Sequence, residues 1–250
     1  MCKAVILGIA PEAQVVDLTH DVPPHDVRAG ALTLVRASQY LPEGAIVLAV
    51  VDPGVGTDRR LVAAQVERGI LLGPDNGLLA PTVALLGGAS EIVELTNLDY
   101  QLPAPSPTFA GRDVLAPAAG YLAAGVPISE LGDPVDPATL VPGLVPLPNM
   151  EGDGIAGEVW WVDRFGNCQL NIDPQELATA GAQLGSTLEV RVADSTRTAR
   201  WVGTYADARA SELVLVVDSY GLVSLALDRE SAADALGLRA GSAVTVVPPG

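Results

Sequence analysis

Ala45-Ile46-Val47-Leu48-Ala49-Val50-Val51-Asp52-Pro53-Gly54 is the stretch that decides the fold. Seven apolar residues without alternation predict a strand buried on both faces, and Asp-Pro-Gly is a natural transition from such a strand into a loop. A strand buried on both faces needs helices over it, and the flanking sequence supplies them. Residues 26–39 place Val27, Ala31, Leu34 and Val35 on one face at helical spacing. Upstream, residues 15–18 read as a short apolar strand. Downstream, residues 61–66 and 70–72 read as a hairpin that runs into Gly73-Pro74-Asp75-Asn76-Gly77. Two further helices are predicted, at 78–86 closed by Gly87-Gly88 and at 112–124 ended by Gly125.

The pattern then changes. Pro134, Pro137, Pro142, Pro146 and Pro148 interrupt any regular element, and Glu151-Gly152-Asp153-Gly154 is polar and flexible. These features predict an N-terminal α/β domain over 1–142, a Pro/Gly-rich linker over 143–153 and a second domain over 154–250. In that second domain short β-like runs recur at 155–162, 188–192, 198–205, 213–217, 223–227 and 243–247, as in a small β-barrel or sandwich.

Composition sets further bounds. Hydrophobic residues make up 49% of the 250 and charged residues 18%, so the chain should fold around a substantial core. Aromatics are only 4%, which leaves small aliphatic side chains to fill it. The net charge of −16, with Lys3 as the single lysine, excludes a nucleic-acid partner, which would require a basic face. Cys2 and Cys168 are too few for a disulfide framework, and no secretory leader pattern is visible, so the expected location is cytoplasmic. No apolar run reaches the roughly 18 residues of a membrane span.

Four polar clusters stand at the ends of apolar runs, where loops present side chains to ligands. In the segment from Asp17 to Asp26, Asp21 or Asp26 caps the next helix; alternatively His20 and His25, beside Asp21 and Asp26, form a metal site. Asp52-Pro53-Gly54-Val55-Gly56-Thr57-Asp58-Arg59-Arg60 is either a plain loop or one in which the carboxylate folds back onto a guanidinium seven residues on. It is not a phosphate loop, since no Gly-Lys-Ser/Thr follows. Ser106-Pro107-Thr108-Phe109-Ala110-Gly111-Arg112-Asp113 reads as a helix start with Asp113 complementing the dipole. Residues 163–171 read as a β-turn around Gly166, with Cys168 a small buried residue and not a nucleophile. The residues alone establish a two-domain protein, α/β followed by β, with four polar loops.

Taken in order, five segments resemble the S-adenosyl-L-methionine (SAM) hydroxide adenosyltransferase family, relatives of the fluorinating and chlorinating enzymes. They are Val16-Asp17-Leu18-Thr19-His20, residues 51–57, Gly73-Pro74-Asp75-Asn76-Gly77-Leu78-Leu79, Thr108-Phe109-Ala110-Gly111-Arg112-Asp113 and Val162-Asp163-Arg164-Phe165-Gly166-Asn167. Each is weak alone, and five in register across two domains are specific. The resemblance implies an α/β N-terminal domain and a C-terminal β-barrel domain in a homotrimer, with active sites between the N-terminal domain of one subunit and the C-terminal domain of its neighbour. It implies attack of water or hydroxide on C5′ of SAM, releasing adenosine and L-methionine, with SAM as substrate and no cofactor or metal.

The same resemblance distributes roles. Asp52 orients the water and Arg59 holds Asp52 or favours hydroxide; the halide-using branch lacks this set. Phe109 and Gly111 flank the ribose and sulfonium, and His25 stands where a halogenating relative packs a tryptophan on the sugar. Asp163 binds the methionine amino group, Phe165 stacks on adenine and Asn167 hydrogen-bonds its edge. Ser219 and Tyr220 grip the methionine carboxylate and line the base, although halogenating relatives have an arginine at the latter position.

Two departures matter. The family motif reads Thr-Phe-His-Gly-Arg-Asp, whereas Ala110 stands at the histidine here, so weak or absent activity is expected, whether from an engineered change or a natural loss. Family members also open with a strand ending in Thr-Asp-Phe-Gly, and this sequence begins at what reads as mid-helix, so it is expected to lack that strand. Two alternatives to hydrolysis remain: a non-catalytic adenosine- or SAM-binding protein, and a 5′-halo-adenosine synthase.

Overall fold

The computed structural model describes residues 1–143 and 146–249. It divides into two units, Met1–Val145 and Pro146–Gly250, each with its own core.

The first unit is a sheet with helices on both faces. Its elements are α1 (Cys2–Ile9), α2 (Val27–Ser38), β1 (Ala45–Leu48), β2 (Leu61–Val66), β3 (Gly69–Pro74), α3 (Ala80–Leu85), β4 (Ala89–Glu94), α4 (Ala116–Ala123) and β5 (Asp133–Pro134). The strands lie in the order β1-β3-β2-β4-β5, with β1 parallel to β3 and the other pairs antiparallel. The two-residue period of a strand explains why helices are needed on either side. Along β2, Ala63 joins the core cluster containing Ile6, Leu115 and Leu122, while Val62 and Ala64 join the one containing Leu34, Leu78 and Val83. The predicted hairpin pairs Leu61 with Pro74 through Val66 with Gly69. Asp26 caps α2, accepting Ala29 N at 2.8 Å, as expected of a short carboxylate at that position.

Two expectations need correction. Residues 15–18 are not a strand: Val16 and Leu18 are 79% and 50% exposed, and among the described residues no ladder partner takes up the segment. Lys3 Nζ instead ties Asp17 to α1 at 2.5 Å. Apolar character alone does not make a strand without a neighbour to accept its hydrogen bonds. The decisive run from Ala45 also stops pairing early. Only Ala45–Leu48 find partners in β3; Ala49 N still reaches Leu72 O at 2.9 Å, and Val50 then turns out toward solvent, while β1, as the edge strand, is half-buried and not covered on both faces.

The second unit comprises β6 (Asn149–Glu151), β7 (Gly154–Val162), β8 (Cys168–Leu170), α5 (Pro174–Thr179), β9 (Thr187–Val192), β10 (Ser195–Val202), β11 (Leu213–Val217), β12 (Val223–Leu227), α6 (Ala232–Leu236) and β13 (Ala243–Val247). The order β13-β9-β10-β11-β12-β8-β7 closes on itself because β13 also pairs with β7, giving a seven-stranded barrel. Its interior is filled by Val159, Leu170, Leu188, Val190, Leu215, Leu225, Val246 and their neighbours, small enough side chains for a barrel of this strand number. β6, inside the stretch read as linker, pairs with the first half of β7.

Candidate functional site

In the first unit the polar loop after β1 folds back on itself. Asp52 O accepts Val55 N, Gly54 O accepts Thr57 N, and Thr57 Oγ1 donates to Gly54 O at 2.7 Å. This brings Arg59 onto Asp52 in a two-pronged contact: Nε donates to Oδ1 at 2.8 Å and Nη2 to Oδ2. The side chains are only 13% and 6% exposed, so this ion pair is shielded from solvent. Its backbone is pinned from behind, since Asn76 Nδ2 donates to Val51 O at 2.9 Å. The next arginine points elsewhere. Arg60 grips the buried Asp75 through Nε at 2.9 Å and reaches Thr139 O at 2.6 Å, while Asp75 Oδ1 accepts Val141 N.

The 108–113 motif lies beside this loop: a methyl at Gly111 would sit 3.6 Å from Val50 Cγ2, at the end of β1. Gly111–Leu115 form a π-helical turn leading into α4, with the buried Ala110 at its start. Asp113 is buried and does more than complement a dipole. It takes a fork from Arg112, Nε at 2.6 Å and Nη2 at 2.9 Å, and the guanidinium lies 4.9 Å from the centre of the Phe109 ring. Asp52, Arg59, Phe109, Ala110 and Gly111 therefore gather at one edge of the sheet. His25 is exposed in the left-handed region, with φ 67°, and His20 contacts Asp17. Among the described residues no group of three or more His, Cys, Asp or Glu side chains is arranged to hold a metal.

In the second unit two loops are each built around a carboxylate. Asp163 Oδ1 accepts Phe165 N and Asn167 N at 2.8 and 2.9 Å, and its Oδ2 accepts Asn167 Nδ2 at 2.8 Å. The turn needs Gly166, where φ is 82° and a methyl would stand 2.1 Å from Ser231 Oγ. The turn leaves Phe165 71% exposed, an apolar ring presented to solvent. Asp218 organises the other loop in the same way, accepting Tyr220 N at 2.8 Å and Leu222 N at 3.3 Å, with Ser219 and Tyr220 exposed at its tip.

Sequence reasoning missed two residues here. Gln169, buried in β8, donates to Asp218 Oδ2 at 2.5 Å. The other is Tyr205, whose phenol is pushed above the usual value by burial and then by the charges of Asp218 and Asp163. Its loop is fixed by a capping box between Thr204 and Asp207 and by Arg200, which forks onto Glu212 and also donates to Asp207 O. The Thr-x-x-Asp pattern at 204–207 was the available signal. Cys168 is wholly buried and its thiol is pushed up to about 12, chiefly by burial, as befits a packing residue.

Residues 1–132 match the SAM hydroxide adenosyltransferase N-terminal domain, and residues 157–245 match the C-terminal domain of the same family. The chain is 45% identical over 245 residues to the (R)-S-adenosyl-L-methionine hydrolase of Salinispora tropica, covering 98% of this chain and 90% of that one. It is 40% identical over 257 residues to the hydrolase of the same name from Thermus thermophilus, covering 98% and 92%. Against the fluorinase of an Actinoplanes species identity falls to 30%, covering 98% and 91%. Among solved structures, an uncharacterized conserved protein from Thermotoga maritima superposes with a TM-score of 0.90 at 32% identity, covering 98% of this chain and 93% of that one.

Proposed function

Because the chain belongs to the SAM hydroxide adenosyltransferase family, we propose that it hydrolyses S-adenosyl-L-methionine, with water or hydroxide attacking C5′ to give adenosine, L-methionine and a proton. The observation that carries this reading is the shielded Asp52/Arg59 fork. A sulfonium leaves as a neutral thioether, so no general acid is needed and no cofactor is invoked. What remains is to place a water in line with the C5′–S bond and to remove its proton. Asp52, fixed in orientation by Arg59, supplies an acceptor for a water hydrogen, and the guanidinium charge favours hydroxide beside it.

The second unit supplies the binding groups. Phe165 offers a face for adenine. Asn167 has its Nδ2 committed to Asp163, which leaves Oδ1 to accept from the exocyclic amine of the base. Asp163 Oδ2 retains room for the methionine ammonium, and Ser219 and Tyr220 take the carboxylate end. Each set is incomplete alone; the resemblance assigns their meeting to neighbouring subunits of a homotrimer, so sedimentation should give the mass of three chains.

Ala110 favours a second reading, a protein that binds SAM or adenosine with little or no turnover, since a methyl group cannot accept a proton. Incubation with SAM, alone and with chloride, bromide or fluoride, followed by mass spectrometry, separates the readings. Adenosine and methionine support hydrolysis, unchanged bound SAM supports the binding protein, and 5′-halo-adenosine overturns both.

A further inference from the structure

Gln169 is a polar side chain in a place that needs a reason. Cys168 and Leu170 on either side of it belong to the barrel core, so strand alternation sends Gln169 to the outer face of β8, yet the residue is only 4% exposed. A buried carboxamide is costly unless it is hydrogen-bonded. Its Nε2 is satisfied by Asp218 Oδ2, 49 residues further along the chain. Asp218 is in turn the residue whose other oxygen holds Tyr220 N and Leu222 N. At the near end, Gln169 follows Asn167 by two positions, directly after the turn that Asp163 organises.

β8 is registered against β7 by three pairs, Leu170 with Val159, Gln169 with Trp161 and Cys168 with Val162, but its tie to β12, the strand that follows the Asp218 loop, is thin. β8 is three residues long and pairs with β12 at only two positions, Gln169 with Ser224 and Cys168 with Leu225. We propose that Gln169 is a positioning residue for substrate: by holding Asp218 it fixes Ser219 and Tyr220 in register with Phe165 and Asn167. This rests on the reading of the second unit's loops as the SAM-binding groups. The tie matters most for a ligand that spans both loops. Adenosine occupies the base-binding turn with less dependence on the other, whereas SAM engages both and loses affinity when the loops move independently.

Calorimetric titration of the full chain with SAM and with adenosine tests this. Gln169→Leu removes the donor; it should weaken SAM binding about tenfold, the loss expected for one buried hydrogen bond to a charged group, and adenosine binding by a clearly smaller factor. Gln169→Glu sets two carboxylates face to face. At pH 7.5 it should behave like the leucine variant and recover toward pH 5, because one proton shared by the pair restores the hydrogen bond. The titratable groups around Asp218 are Tyr220, whose N–H it accepts, and Tyr205, whose phenol also feels Asp163, whereas Ser224 and Trp161, the strand neighbours of Gln169, are uncharged; the parent titrated in parallel accounts for the former. The exchange Gln169→Glu with Asp218→Asn should restore SAM affinity at both pH values, since the carboxamide introduced on the loop then donates to the carboxylate introduced on β8 and still accepts from Tyr220 N. Equal losses for SAM and adenosine, no loss, or failure of the exchange to restore binding overturns the inference. A parent chain that binds neither ligand overturns the reading beneath it as well; a parent that binds both, with variants unchanged, overturns the inference alone.

Discussion

Arg59 passes directly over Gly54 on its way to Asp52. A methyl at residue 54 would stand 3.2 Å from Arg59 Cδ and 3.8 Å from Asp52 Oδ1. The glycine is therefore part of the ion pair's geometry, because it leaves the guanidinium room to lie flat against the loop. Gly54→Ala should displace the fork by a few tenths of an ångström to an ångström, and adenosine release should fall by up to about a hundredfold, the scale on which misplacement affects a positioned water. Thermal melting should move little. A rate equal to the parent's would show that the fork tolerates displacement.

Breaking the pair outright should cost stability as well as turnover. Arg59→Leu leaves the carboxylate of Asp52, 6% exposed, without its cation, a loss of about 3 kcal/mol. Arg59→Lys keeps the charge but not the two-pronged contact and should lose about 1 kcal/mol. Urea denaturation of the two variants measures the difference; equal losses would mean that the fork geometry contributes nothing.

Ala110 opens the π-helical turn beside Val50 and is itself buried. Ala110→His supplies a proton acceptor there and should raise adenosine release by about 10²- to 10⁴-fold. An unchanged rate in a variant that binds SAM would sink the hydrolytic assignment and favour the binding protein.

The loop carrying Tyr205 has a built-in acid limit. Arg200, and then the backbone N–H of Arg209, hold the Glu212 carboxyl down to about 2 from an ordinary 4.5. A lowered folded-state value means that the contribution is fully present above about 4.5 and disappears as pH falls toward about 2. Glu212→Gln should therefore be less stable than the parent at neutral pH, and the gap should close across that window. A gap independent of pH would refute the assignment.

The two thiols should differ in reactivity. Cys168 is wholly buried with its thiol pushed up to about 12, whereas Cys2 is half-buried. Iodoacetamide at pH 8 should label Cys2 alone in the folded chain and both residues in urea, as read by peptide mass. Labelling of Cys168 under native conditions would show that β8 opens.

Much of this was legible because the signals were local. The Asp52/Arg59 contact spans seven residues across glycines that permit only a tight return, and six of the seven barrel strands stand out as short apolar runs between turns; β8, Cys-Gln-Leu without a β-branched residue, reads as part of the turn before it. Residues 15–18 misled because apolarity was visible and the absence of a pairing neighbour was not. Asp113 was underestimated for a similar reason: its burial comes from packing of the π-helical turn near α1 and β3, which the sequence does not display. Gln169 and Asp218 lie 49 residues apart and meet only because β8 pairs with β12, so no spacing rule joins them. Tyr205 acquires its setting from two turns elsewhere in the chain.

Closure of the barrel sets an order on synthesis. β7 is the first strand of the ring to be made, yet it joins β13 through pairs such as Gly157 with Val244, 87 positions later. A nascent chain on the ribosome can assemble the first unit's sheet while β7 still has an unmatched edge, and the second unit cannot seal until β13 has cleared the exit tunnel. Until then the loops of Asp163 and Asp218 sit on strands that are paired with one another but not yet closed into a ring.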